Sequence, residues 1–146
     1  MKKSLIITFY TLILFFLLIL GEIFVEEIGK LFKGSLFFLL PFVIFSLLGV
    51  LLIFLVLKQN IKGALKKYLS LTGVSAISFF IFVFLHNVFY GLAEISSNII
   101  LLKNLMEVLH VIFFIIAIFI CPLGFLIGSI NSIIVFIKNR KKDIIL

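Results

Sequence analysis

The chain contains no tryptophan, one cysteine, two prolines and only six acidic residues in 146. Each shortage removes a class of protein. A lone Cys121 can form no intrachain disulfide and cannot support dithiol redox chemistry. Charged residues make up 13% of the sequence, too few to coat a soluble globule. The long apolar runs hold no Asp, Glu, Lys or Arg, so the mid-membrane ionisable group of a typical proton-coupled carrier is missing. Cys121 itself, beside Pro122 and with no His or acid at its depth, reads as an apolar packing residue.

What the sequence has in abundance is apolar side chains: 64% hydrophobic residues, 20 of them Phe, and a mean hydropathy of +1.44. Lipid is the solvent such a composition fits. Four apolar runs, over residues 4–20, 36–57, 69–93 and 109–137, are each long enough to cross a bilayer, which takes about 20 residues. They predict an all-α fold, a single integral membrane domain built as a four-transmembrane-helix bundle over residues 1–146. The first run follows Lys2 and Lys3 and imitates a secretory signal. Leu18-Ile19-Leu20-Gly21, however, puts bulky side chains where cleavage needs small ones, so it reads as a span. The fourth run exceeds a hydrocarbon core of about 30 Å and is expected to tilt, or to bend near Pro122. Pro41 falls early in the second, where a missing amide donor costs little.

Orientation follows from the basic residues. With the N-terminus inside, ten of the thirteen Lys and Arg flank the cytoplasmic ends, and only Lys30, Lys33 and Lys103 lie outside. Both termini are therefore expected in the cytoplasm. Five of the six acids, Glu22, Glu26, Glu27, Glu94 and Glu107, fall on the outer side. A net charge of +7 placed between apolar runs points to anionic headgroups at the cytoplasmic face and to no nucleic acid. The Ile, Lys, Phe and Asn bias suggests an AT-rich prokaryotic genome, hence a prokaryotic cytoplasmic membrane.

The connections carry patterns of their own. Phe24, Ile28, Leu31 and Phe32 recur at helical spacing against Glu22, Glu26, Lys30 and Lys33, predicting a short amphipathic helix in the outer interface. Lys58, Lys62 and Lys66 form a basic stripe beside Ile61, Leu65 and Tyr68 on the inner side. Residues 95–108 either form a second interfacial helix or extend the fourth span outward.

Three constellations could carry function. Gly124, Gly128 and Ser132 stand at steps of four, a groove that lets another helix approach closely, with Asn131 beside it to hydrogen-bond across helices. Thr72, Ser75 and His86 share an arc of the third helix with Tyr90 close by, while Asn87 and Glu94 form a neighbouring stripe. Together these six could line an outward-facing polar vestibule. His86, Glu94, Glu107 and His110 supply two imidazoles and two carboxylates, ligand types that suit Zn²⁺ or Fe²⁺, although their spacing matches no specific metal motif. Packing is the ordinary role of such small-residue stripes, and an interhelical hydrogen bond or a rim position the ordinary role of such His.

The stretches Leu71-Thr72-Gly73-Val74-Ser75-Ala76, Leu85-His86-Asn87-Val88-Phe89-Tyr90-Gly91-Leu92 and Cys121-Pro122-Leu123-Gly124-Phe125-Leu126-Ile127-Gly128 resemble a family of small uncharacterised prokaryotic four-helix membrane proteins. The resemblance covers under half the chain and implies the four-helix architecture and no activity. The residues themselves favour a non-catalytic packing or partner-binding protein, accessory or oligomeric, that needs no cofactor. A small transport or ion-conducting unit around His86 is the first alternative, and a metal-dependent intramembrane enzyme the second.

Overall fold

A computed structural model describes residues 3–27, 30, 39–96 and 98–145, with side chains described to Asn139. The described residues are helical and contain no strand. We number the helices α1 (Lys3–Phe24), α2 (Leu40–Lys58), α3 (Gly63–Ile95), α4 (Ile100–Ile115) and α5 (Cys121–Ile145). A π-helical turn, Ile116–Ile120, joins α4 to α5 without a break. Among the described residues, four helices are long and apolar enough to cross a membrane, the fourth running continuously over Ile100–Asn139. Phe- and Ile-rich segments of this kind would suit strands in water. In hydrocarbon every backbone donor and acceptor must be met within the segment, which selects the helix.

The π-turn has a local cause. Pro122 offers no N–H to the Ile118 carbonyl and its ring crowds that oxygen. Widening the preceding turn relieves both problems, and the Cys121 N–H donates to the Ile116 carbonyl, five residues back. The bend expected at Pro122 is thus taken up as a wider helical turn. Pro41 stands in the first turn of α2, the position where a proline is best tolerated. Between α2 and α3 the chain reverses within four residues. Ile61 N–H donates to Val56 O and Asn60 N–H to Leu57 O, a Schellman closure in which Asn60 takes the left-handed conformation at φ 50°. Gly63, at φ 66°, then starts α3.

Phe side chains from all four spans meet in the centre. Phe16 of α1 stacks on Phe125 of α5 at 4.4 Å, Phe45 of α2 lies 5.2 Å from Phe125, and Phe79 of α3 meets Phe45 edge-on at 6.3 Å. Leu5, Phe9, Leu12, Leu52, Val56 and Leu69 extend this core toward the end that carries Lys3, Lys58 and Lys138.

Helix lengths differ in a way the apolar runs did not announce. At 1.5 Å per residue, α1 and α2 measure about 33 and 28 Å and match a hydrocarbon core, whereas α3 reaches about 50 Å and α4–α5 about 60 Å to Asn139. The excess lies at the end away from Gly63, where α3 and α4 run on together as a hairpin arm. Of residues 95–108, Ile95 ends α3 and those from Ile100 on extend the fourth helix outward. The interfacial helix expected around Ile28, Leu31, Phe32 and Lys33 lies outside the described residues.

Candidate functional site

Two interhelical seams and one aromatic cluster organise the site, and they take up only some of the residues singled out in the sequence. The first seam joins α3 to α5. A Cβ placed on Gly128 would stand 2.6 Å from Thr72 Oγ1, 2.7 Å from Thr72 N and 3.0 Å from Tyr68 O. One on Gly124 would meet Ser75 Oγ at 2.6 Å. Absence of side chains at these two positions is therefore what lets the backbones touch. Thr72, fully buried, returns its hydroxyl proton to Tyr68 O at 2.9 Å. Ser132 continues the seam, buried and with its hydroxyl unpartnered. The groove is thus filled by the chain's own polar stripe. Asn131 does not bridge helices: its amide donates to Ile127 O of its own helix at 2.8 Å.

The second seam joins α2 to α3 and was not recognised from sequence. Gly49 and Gly73 face each other so closely that a Cβ on Gly49 would lie 2.9 Å from Gly73 O. The signal was present as two isolated glycines inside apolar helices, each costing about 1 kcal/mol relative to Ala unless packing requires it.

His86 and His110 meet where the arm begins. His86 Nδ1 donates to the main-chain oxygen of His110 at 3.0 Å, which places the proton of the neutral ring on Nδ1. The two rings lie 5.2 Å apart, Phe114 flanks His86 at 5.2 Å, and Tyr90 meets His110 edge-on at 5.6 Å. His86 turns toward α4, and its hydrogen-bond partner is a backbone carbonyl rather than a second side chain. His110 Nδ1 is buried without a partner.

The remaining candidates stand apart. Glu94 is exposed, Glu107 pairs with Lys103 at 3.6 Å along α4, and Asn87 donates to Val83 O at 2.8 Å within its own helix. Among the described residues no three His, Cys, Asp or Glu come together as a metal set. His86, Glu94, Glu107 and His110 are therefore not gathered into a coordination shell. Of the six vestibule candidates, Ser75 and His86 each border one of two apolar cavities, Thr72 lies against Gly128, and Asn87 and Glu94 face outward. One acid departs from its expected place: Glu22 belongs to the last turn of α1, buried, with both carboxyl oxygens unpartnered.

Two apolar cavities of about 200 Å³ each lie inside the bundle, the first chiefly between α1 and the π-turn with the start of α5, the second among α2, α3 and the α4 end of the π-turn. The first includes Phe16, Phe45, Ser75, Cys121 and Phe125, the second Phe42, Phe80, Val83, His86 and Phe114. Both share Ile23, Phe79 and Ile118 as walls.

Among the described residues the fold is all-α with four helices able to cross a membrane, and the Gly124–Gly128 and Gly49–Gly73 faces are consumed in its own packing. No family model, curated protein or solved structure matches the chain.

Proposed function

We propose that the protein is a partner-binding or oligomeric membrane protein that engages another helix through the face of α4 turned away from α3. One observation carries this reading. Leu101, Leu105, Val108, Ile112, Ile115 and Phe119 follow one another at steps of four and three, and they are 83, 52, 57, 44, 46 and 57% exposed. A 4-3 alternation of apolar residues is the seam along which helices pack knobs into holes. Inside hydrocarbon such exposure would be unremarkable. Counted from Lys138, however, a core of about 30 Å ends near Ile118, so Leu101 to Ile115 project beyond it. Apolar surface outside the hydrocarbon layer calls for cover.

Replacing Val108 and Ile112 by Glu should weaken that association at least about tenfold, since each buried aliphatic side chain contributes roughly 1.5–3 kcal/mol. Cross-linking of differently tagged copies in native membranes measures the self-association arm. Co-purification of a second membrane protein measures the other. Lys103→Gln, on the flank opposite the seam, serves as control. Unchanged association in both assays would remove the seam as an interface.

In this proposal both termini face the cytoplasm of a prokaryotic cell, supported by the ten-to-three distribution of Lys and Arg, and the basic end at Lys58, Lys62, Lys66 and Lys67 rests on anionic headgroups. In a Cys121→Ser background, a cysteine at Lys62 should react with a membrane-impermeant thiol reagent only in opened cells, and one at Lys103 in intact cells. The reverse pattern would invert the orientation.

A further inference from the structure

The two apolar cavities form a crevice whose dimensions fit one leaflet. Counted along α3 from Gly63, Ser75 at the deep end lies about 18 Å in and His86 at the shallow end about 34 Å in. A hydrocarbon core of about 30 Å has its middle at about 15 Å. The crevice therefore runs from the bilayer midplane to the interface on the arm side. Its mouth lies between α1 and the π-turn, where Ile23 and Ile118 stand 48 and 37% exposed. Near the opposite end α1 and α5 close through Phe9 against Phe136 at 5.4 Å, and at mid-depth through Phe16 against Phe125.

We propose that this crevice holds a single hydrocarbon tail of a lipid from the arm-side leaflet. Lining that is almost wholly apolar keeps water out, and an engineered apolar cavity of about 150 Å³ is already large enough to take up benzene. Two abutting cavities of about 200 Å³ each take correspondingly more of a chain. A helix, about 10 Å across with its side chains, does not fit such a volume. An empty crevice would be destabilising in proportion to its volume, and the surrounding solvent supplies tails through the lateral mouth. The inference rests on the helices crossing a bilayer and is independent of the α4 seam.

The absence of tryptophan makes the test direct. Phe79→Trp puts a reporter between both cavities at a position only 6% exposed, Leu14→Trp reports on lipid at the surface (63% exposed), and Phe9→Trp reports on the closed core (0% exposed). In bilayers of mid-chain brominated phospholipid, Phe79→Trp should be quenched nearly as strongly as Leu14→Trp, with Phe9→Trp at least threefold less. Adding Ile23→Phe, which narrows the shared wall, should at least halve quenching of Phe79→Trp while leaving Phe9→Trp protected. Protection of Phe79→Trp equal to that of Phe9→Trp overturns the proposal. So does quenching that Ile23→Phe leaves untouched, because the quencher would then arrive by another route. Quenching of Phe9→Trp as strong as that of Leu14→Trp would also overturn the proposal, because lipid would then reach the whole bundle core rather than one crevice.

Discussion

Gly128→Leu should prevent the bundle from forming, and Gly128→Ala alone should lose roughly 2–3 kcal/mol of stability in an unfolding titration in detergent or bicelles. The basis is the identity of the atoms a new Cβ would meet. At Gly128 two of the three are backbone, Thr72 N at 2.7 Å and Tyr68 O at 3.0 Å, and only α3 as a whole can move away from them. Thr72→Ala should therefore fail to restore Gly128→Ala. Gly124 differs, because its first neighbour is the Ser75 hydroxyl at 2.6 Å and the next atom is at 3.7 Å. Ser75→Ala should recover most of the loss caused by Gly124→Ala. Gly91→Leu, with nothing within 4 Å, is the control and should fold normally. Equal behaviour of Gly128→Leu and Gly91→Leu would mean that α3 and α5 do not pack along this seam.

Gly49→Ala and Gly73→Ala should each destabilise on the scale of 1–3 kcal/mol, but only one of them should be repairable. A Cβ on Gly73 would meet Ile53 Cδ1 and Cγ1, both at 2.8 Å, before it meets Gly49 O at 3.1 Å. Trimming Ile53 to Ala removes both clashing carbons, so Gly73→Ala with Ile53→Ala should show a coupling of about 1 kcal/mol in a double-mutant cycle. On Gly49 the nearest atom is the Gly73 carbonyl oxygen at 2.9 Å, followed by Ala76 Cβ at 3.0 Å. Neither can rotate away, and no neighbouring side-chain trim should rescue it. A cycle without coupling at Ile53 would separate α2 from α3 at this level.

The four spans were legible because lipid leaves a chain so few options: about 20 apolar residues without charge become a helix whatever their helix propensity. Which face of each helix turns inward was much less legible. α2 is apolar all round, so no periodicity marks Phe42, Phe45, Gly49, Leu52 and Val56 as its buried stripe. Gly124 and Gly128 were readable as a groove, and Thr72 and Ser75 as a polar stripe, but nothing in the sequence says that one fills the other. That match makes the stripe a packing surface rather than the wall of a vestibule. His86 was drawn toward α4, yet its acceptor is the His110 carbonyl, and backbone oxygens carry no residue identity for a sequence to display. Pro122 was read as a bend because a proline predicts disturbance without specifying whether the helix kinks or widens.

On the proposed membrane reading, unequal helix lengths also set how the protein responds to the bilayer. α1 and α2 match a hydrocarbon layer of about 30 Å, while α3 and α4–α5 could sit in one much thicker. In a thin bilayer the long pair stands proud and the α4 seam is fully displayed. As the layer thickens, lipid climbs the arm and buries Ile115, then Ile112 and Val108, in hydrocarbon, at a cost to α1 and α2 of a fraction of a kcal/mol per Å of mismatch. If the α4 seam binds as proposed, bilayer thickness competes for it, and association should be stronger in thin membranes than in thick ones.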